Sequence, residues 1–259
     1  MRNEINAVDL AFVVDTPGSM GGLIAAAQNQ MIAMLEALAR AANITLWLGV
    51  VEYRDHPPQD TMLYEIYPLT EDLQRVQKAI RGLQATGGGD APQAVLDGVA
   101  AACRELAWWK HARRLMVLVG DAPPHGVGMP GDAFRDGCPC GETIESVTRL
   151  AEEKRITIHA LGLADAVTTS FSTISSMTGG KFFSSKQTDK AVEAIATLLK
   201  TEFDDLECDR NVLAAWRENP EITTEELAEQ MQRTRHVVSA SLVRLLSRDL
   251  IEVPAIREG

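Results

Sequence analysis

Residues Val8–Gly22, VDLAFVVDTPGSMGG, carry the clearest indication of the fold. A largely apolar run of strand length ends at Asp15, breaks into Thr-Pro-Gly-Ser, and leads into a long segment of helical periodicity. A buried strand followed by a glycine-containing turn and a helix is typical of a parallel sheet, in which ligands gather where the strands end. The stretch therefore predicts an α/β protein whose functional edge lies just after its first strand.

The same alternation of short apolar runs and longer helical segments continues to about residue 207. It predicts a doubly wound, mostly parallel, six-stranded sheet flanked by helices, because strands covered on both faces are almost continuously apolar. The predicted strands are Leu10–Val14, Thr45–Glu52, Met62–Tyr67, Arg114–Val119, Thr157–Leu161 and Lys181–Ser184. The predicted helices are Gly22–Ala42, Glu71–Gly82, Pro92–Trp108, Thr143–Lys154, Thr168–Met177 and Lys190–Glu207.

From about Cys208 the hydrophobic pattern changes: three short helical patterns are followed by a short strand pattern, IEVPAI. That order resembles a small winged-helix unit, so two domains are predicted, 1–207 and 208–259. The third helical pattern would be the recognition helix, and its arginines, Arg235, Arg244 and Arg248, would form a local basic face. Nine acidic residues nevertheless outnumber the seven arginines of this segment, which has no lysine. Protein docking and DNA binding by this unit both stay open.

The formal net charge of −11 works against non-specific attraction to nucleic acid and to anionic membranes. The N-terminal residues are polar and acidic, and no apolar run reaches membrane-spanning length. We therefore expect a cytoplasmic protein without a signal peptide or a membrane anchor. The four cysteines do not suggest a disulfide framework, since Cys138 and Cys140 are separated by one proline.

Three acidic residues fall where loops meet the predicted sheet edge. Asp15 follows the first strand, Asp121 follows a central strand, and Asp90 precedes a helix. Carboxylates that converge on one crevice repel each other unless a cation neutralises them. An oxygen-rich site of this kind suits Mg²⁺ or Mn²⁺.

These motifs resemble those of the von Willebrand factor A domains, especially the subset whose first loop reads Asp-Thr-Thr-Gly-Ser-Met. The matching strings are DTPGSM, YRDHPPQD, TGGGDAPQA and DAPPHG, which occur in order within residues 8–203. The resemblance implies a metal-ion-dependent adhesion site (MIDAS) that holds Mg²⁺ or Mn²⁺. The implied ligands are Asp15, Ser19 and Asp121, together with either Thr86 or Asp90, of which Asp90 is favoured.

One position departs from the family pattern, because Pro17 stands where the family has a hydroxyl ligand. Proline supplies neither a side-chain oxygen nor an N–H and fixes φ, so we expect weakened metal binding. Turn and cap chemistry offers an alternative role for the same residues. Ser19 would cap the helix that follows it, and Asp90 with Gln93 fits a capping box.

The resemblance implies a non-enzymatic protein-interaction or regulatory module, of the type found in bacterial regulatory or conflict systems. A carboxylate of the partner protein would complete the metal sphere, with Pro17, Gly18 and His125 contacting that partner. The alternative is a ligand-responsive transcription regulator whose C-terminal unit binds DNA. A hydrolase or phosphotransferase is disfavoured, because no nucleophile with an adjacent base is evident near Asp15.

Two further polar stretches allow other roles. In the loop 125–141, two cysteines together with His125 and nearby acidic residues could form a zinc site, but the Cys-x-Cys spacing is shorter than that of the usual structural zinc pair. We therefore predict a surface loop that shapes partner specificity. In EYRDHPPQD, residues 52–60, the charged residues could pair with each other or border the crevice, and internal ion pairing is favoured. They are Glu52, Arg54, Asp55 and His56.

Overall fold

The computed structural model describes residues 4–16, 28, 32, 35–36, 44–84, 91–185 and 188–252. Within these ranges six strands form one sheet: β1 Ala7–Asp15, β2 Thr45–Tyr53, β3 Tyr64–Thr70, β4 Arg113–Gly120, β5 Ile156–Gly162 and β6 Phe182–Ser184. The described α-helices are α1 Leu73–Gly82, α2 Val95–Glu105, α3 Ile144–Glu153, α4 Thr168–Met177, α5 Thr188–Glu218, α6 Thr224–Met231 and α7 Arg235–Ser247.

The strand order is β3-β2-β1-β4-β5-β6, and only the β2–β3 pairing is antiparallel. The chain leaves β1 for β2 on one side and later enters β4 on the other. The carboxyl ends of β1 and β4 therefore lie side by side at a topological switch point, where sheets of this kind bind ligands. This arrangement brings Asp15, at the end of β1, close to Asp121, which directly follows β4.

Every residue of β1 is buried, and its side chains alternate between two hydrophobic cores. Val8, Leu10 and Phe12 face one core, while Ala11 and Val13 face the other. A strand with period-two side chains and helices on both sides must be apolar on both faces. This explains why the quoted stretch is almost continuously hydrophobic.

The predicted doubly wound, mostly parallel sheet flanked by helices is confirmed. All six strands occur, with ends shifted by up to three residues from the prediction. Helix Thr168–Met177 matches its predicted bounds, and the predicted helix Gly22–Ala42 lies mainly outside the described residues.

The C-terminal segment begins inside a helix, because α5 runs without a break through the predicted boundary at 207/208. The packing nevertheless changes there: Leu206 belongs to the sheet core, whereas Val212 belongs to a third core formed with α6 and α7. The strand predicted over IEVPAI lies mostly outside the described residues. A three-helix C-terminal unit is therefore described, and the winged-helix form stays a prediction.

Glu202 of α5 anchors this long helix to the sheet. Arg113 of β4 donates to its Oε2 from Nε and Nη2, at 3.0 and 2.8 Å, and Nε2 of His159 of β5 lies 3.3 Å from its Oε1. Although burial opposes ionisation, His159 and Arg113 lower the pKa of Glu202 from 4.5 to about 2. The charged form therefore stabilises the packing of α5 on β4 and β5.

Glu202→Gln is expected to lower the free energy of unfolding at pH 7 by on the order of 2–3 kcal/mol, since each pKa unit corresponds to about 1.4 kcal/mol. Because the folded-state pKa is depressed, this contribution is complete above pH 4.5 and disappears as the pH falls from 4.5 towards 2. Urea denaturation of the natural chain and of Glu202→Gln at pH 7 and pH 3 measures this difference in unfolding free energy. Asp204→Asn, an exposed acid on the same helix, is the control; a pH-independent difference for Glu202→Gln would contradict the prediction.

Candidate functional site

Two acidic residues meet at the switch point. Asp15 ends β1 and is fully buried, and Asp121 directly follows β4. Both carboxylate oxygens of Asp15 and Oδ1 of Asp121 are buried without a hydrogen-bond partner among the described residues. Burial and then the neighbouring charge of Asp121 raise the pKa of Asp15 well above its usual value. Buried anionic oxygens in this state require either protons or a cation.

Tyr53, the last residue of β2, lies beneath these carboxylates. It is fully buried, and its hydroxyl has no hydrogen-bond partner within the described part of the chain. Burial, followed by the charges of Asp15 and Asp121, raises the pKa of Tyr53. Two glycines make room for its ring: a Cβ at Gly98 would lie 2.8 Å from Cδ1, and a Cβ at Gly120 would lie 2.7 Å from the hydroxyl oxygen.

The residue after Asp15 is held by an ion pair from the neighbouring strand. The Thr16 hydroxyl donates to Oε1 of Glu52 at 2.6 Å and accepts from Nε of Arg54 at 3.3 Å. Arg54 Nη2 also contacts Oε1 of Glu52 at 3.0 Å. The predicted internal pairing within residues 52–60 is therefore present for Glu52 and Arg54, whereas the acid and the histidine that follow them have more distant partners.

His125 does not lie at the surface. Its Nε2 lies 2.7 Å from Oδ1 of Asp55 and its Nδ1 lies 2.8 Å from Oδ1 of Asp132, with the side chain 1% exposed. Burial opposes protonation, but the two carboxylates raise the pKa of His125. The prediction that His125 contacts a partner is corrected: its ring joins two parts of this chain, because a buried imidazolium needs both acceptors.

Two of the three arginines expected on a basic C-terminal face are also engaged internally. Arg244 donates from Nη2 to Oδ1 of the fully buried Asp209 at 2.6 Å. Arg248 is buried, and its guanidinium donates to backbone carbonyls of His111, Glu4 and Ile5. Neither is available as a surface contact. Arg235 is exposed and pairs with Glu225 at 2.8 Å.

The remaining predicted site residues lie outside the described residues, and their roles stay predictions. They are Pro17, Gly18, Ser19, Thr86 and Asp90.

Two further residues contribute to the acidic crevice. Tyr53, directly after the predicted second strand, was not singled out from the sequence, and the close approach of Gly98 and Gly120 to its ring is evident only in the structure. For Asp55, the alternative that it borders the crevice agrees with the effect of its charge, which raises the pKa of Asp15 after burial and Asp121. Oδ2 of Asp55 is buried without a hydrogen-bond partner among the described residues. Asp55 lies two residues beyond Tyr53, the β2 residue that pairs with Asp15 of β1, and this position after a strand end is the sequence signal for its place near the crevice.

Comparison with protein families gives a match to the von Willebrand factor type A domain over residues 9–198. An ariadne-like RING finger protein of Acanthamoeba polyphaga mimivirus is 31% identical over 127 residues, which are 49% of this chain and 12% of that protein. The alpha-protein kinase vwkA of Dictyostelium discoideum is 24% identical over 143 residues, 54% of this chain and 23% of the kinase. The matches thus span less than a quarter of either relative.

Solved structures share the fold at low identity. Proximal thread matrix protein 1 of the mussel byssus, with a zinc-occupied MIDAS motif, has a TM-score of 0.55 at 17% identity, covering 75% of this chain and 46% of the mussel chain. The pilus adhesin SpaC of Lactobacillus rhamnosus GG has a TM-score of 0.57 at 16% identity, covering 80% of this chain and 30% of the adhesin.

Among the residues that the structure describes, no helix combines sufficient length with sufficient apolar character to cross a membrane.

Proposed function

We propose that this chain, which belongs to the von Willebrand factor type A domain family, is a non-enzymatic protein-interaction and regulatory module. In this proposal a divalent cation, Mg²⁺ or Mn²⁺, binds at Asp15 and Asp121. The cation then accepts a carboxylate from a partner protein as a further ligand.

The observation that carries the proposal is the set of three buried carboxylate oxygens without hydrogen-bond partners in the described part of the chain. The ionised carboxylates of Asp15 and Asp121 repel each other when they lie close together away from water, and a hard dication that coordinates both removes this electrostatic repulsion. Oxygen-only ligands are what Mg²⁺ and Mn²⁺ prefer. Ser19 and either Asp90 or Thr86 would add further oxygens, while Pro17 removes one and would weaken the site.

The surroundings of Asp15 support a binding role rather than catalysis. Thr16, the hydroxyl residue adjacent to it, is fully buried and bound by Glu52 and Arg54. A nucleophile needs access to its substrate, and this hydroxyl has none. The names of the curated relatives, a RING finger protein and a kinase, belong to proteins of which this chain matches 12% and 23%.

Support for a partner-completed cation also comes from the relatives of the fold. The mussel byssus protein has a zinc-occupied MIDAS motif, and SpaC is named as a pilus adhesin. A cation held by few protein oxygens keeps open positions, which water or a partner carboxylate can occupy. The acidic crevice would then bind an acidic partner only when the cation is present, since the charges otherwise repel.

Calorimetric titration with Mg²⁺ and then Mn²⁺ tests the proposal. Saturable binding is expected in the natural chain and tighter binding in Pro17→Thr, which returns a hydroxyl to the first loop. Asp121→Ala should abolish the signal, because it removes one of the two carboxylates that hold the cation. Glu153→Gln, an exposed acid on α3, is the matched control and should bind normally.

Two results would overturn the cation proposal. One is equal binding by the natural chain and Asp121→Ala, which would place the cation elsewhere. The other is a natural chain that binds neither ion. For the partner, acetate serves as the simplest carboxylate probe: it should raise the midpoint of thermal unfolding in the presence of Mn²⁺ but not with a chelator. An equal effect under both conditions would contradict the carboxylate-binding step.

A further inference from the structure

A second group of metal-ligating side chains lies apart from the oxygen ligands at Asp15 and Asp121. It contains a histidine nitrogen, a carboxylate oxygen and two thiols, and these ligand atoms all lie within 4.8 Å of one another. The four residues are His56, Asp97, Cys138 and Cys140. Such mixed nitrogen, oxygen and sulfur donors suit Zn²⁺, whereas Mg²⁺ prefers oxygen alone.

We propose that these four residues form a site for a structural zinc ion. The zinc would fasten the β4–α3 loop, residues 121–143, to α2 and to the loop that follows β2. This inference does not depend on the cation proposed at Asp15, because it uses other residues and another class of metal ligand.

The spacing of three of the four ligand atoms is close to that of tetrahedral coordination, and the sulfur of Cys140 lies within 4.8 Å of each of them. Nε2 of His56 lies 3.1 Å from Oδ2 of Asp97, and Sγ of Cys138 lies 3.1 Å from that oxygen and 3.6 Å from that nitrogen. Zinc with bonds of about 2.0–2.3 Å places tetrahedral ligands roughly 3.3–3.8 Å apart. Small adjustments would therefore seat the ion, and four protein ligands would close its shell, as in structural rather than catalytic sites.

The four ligands come from three segments that are distant in sequence. His56 lies just beyond β2, Asp97 lies in the first turn of α2, and both cysteines lie on the β4–α3 loop. Cross-linking loops over such separations restricts the unfolded chain and so stabilises the folded one. The burial of His56 and Asp97 fixes the inner half of the site, while exposed Cys140 leaves a path for the ion to enter.

The loop is shaped to present both sulfurs. Gly137 and Gly141 flank the Cys-Pro-Cys segment with φ of +115° and +79°, values that residues with a side chain rarely adopt. The ring of Phe134 packs edge-on against His56, with ring centroids 5.6 Å apart, and so helps to orient the imidazole. These features hold the ligands close together before any ion binds, which lowers the entropic cost of coordination.

The same loop carries the contact that reaches the acidic crevice. His125 and Asp132 belong to it, and His125 bonds to Asp55, the residue next to His56. Zinc at the four ligands would therefore also fix the position of Asp55 beside Asp15. Sequence reasoning considered zinc for this loop with ligands from the loop alone, and tertiary structure supplies His56 and Asp97 instead.

The full chain, purified under reducing conditions without chelator, tests the proposal by elemental analysis and by substitution with Co²⁺. We expect about one zinc ion per chain, and a thiolate-to-cobalt charge-transfer band in the near ultraviolet. Cys138→Ser and Cys140→Ser should each weaken zinc binding by at least about 100-fold, since even partners outside the ligand shell contribute roughly 10–100-fold. Cys208→Ser, a half-buried thiol outside the cluster, is the matched control.

Variants at the acidic crevice separate the two metal sites. Asp15→Asn and Asp121→Ala should keep the zinc and the thiolate band. Zinc that is lost in these variants but kept in the cysteine variants would belong to the crevice and would overturn the proposal. A Co²⁺ spectrum without thiolate bands in the natural chain, or a Cys138–Cys140 disulfide under reducing conditions, would overturn it too. The spectrum of the natural chain decides the matter even where a cysteine variant fails to fold.

Discussion

Asp209→Ala is expected to lower the free energy of unfolding by about 3–5 kcal/mol, the usual result of removing one partner of a buried ion pair. Asp209 is fully buried on α5 and accepts from the Ser241 hydroxyl at 2.7 Å and from Arg244 at 2.6 Å. Nη1 of Arg248 lies 4.0 Å from its other oxygen. The variant would leave the buried Arg248 without a carboxylate partner and Arg244 with only the more exposed Asp205, so the C-terminal unit should separate from α5 at lower denaturant concentrations.

Asp205 provides the matched control for this prediction, because it lies one helical turn earlier and pairs with the same Arg244 at 3.5 Å. Its side chain is 41% exposed, so Asp205→Ala should cost less than about 1 kcal/mol. The double variant Asp209→Ala/Arg244→Ala should lose less unfolding free energy than the sum of the losses of the two single variants, because both substitutions remove the same ion pair. Equal losses for Asp205→Ala and Asp209→Ala, measured by urea denaturation, would contradict the proposed importance of burial.

Gly120→Ala is expected to destabilise the protein by about 3 kcal/mol and to remove metal-dependent stabilisation. The added Cβ would lie 2.7 Å from the Tyr53 hydroxyl oxygen, 3.2 Å from Cβ of Asp15 and 3.2 Å from Cζ of Phe171. All three neighbours are fully buried, so relief of the clash requires displacement of packed side chains. A displaced Asp15 no longer converges with Asp121 on one cation.

Thermal unfolding with and without Mn²⁺ measures both effects of Gly120→Ala. The natural chain should unfold at a higher temperature with Mn²⁺, and the variant should show no such difference. Gly82→Ala is the control: nothing lies within 4 Å of its added Cβ, at the end of α1, so alanine there should be neutral or slightly stabilising. A Gly120→Ala protein that keeps the full Mn²⁺ response would show that Asp15 has not moved.

Much of the sheet could be predicted from local patterns. β1 and β4 are buried on both faces, so their apolar runs were recognisable, and the acids that end them were placed correctly at neighbouring strand ends. Helix α6 begins at a reciprocal capping box of Thr223 and Glu226, which is also a local pattern. Such signals involve residues a few positions apart, for which sequence spacing and spatial proximity coincide.

The polar contacts around the candidate site were not predictable in this way. His125 was predicted to contact a partner from a surface loop, but it is buried and pairs with Asp55, seventy positions earlier. The arginines of α7 formed a plausible basic face in the sequence, yet Arg244 and Arg248 bend inward to Asp209 and to backbone carbonyls. Their roles depend on which surface covers α7, which helical periodicity does not specify.

The order of the elements and the position of the acids after β1 and β4 follow from local sequence patterns. Apolar periodicity and turn chemistry are local, and parallel strands bring their carboxyl ends to one edge. Which ionisable groups meet is evident only in the folded chain: Asp15 lies near Asp121 and Tyr53, and His56 lies near Asp97 and Cys138. Burial and charge pairing act between residues that are distant in sequence, and packing selects the partners.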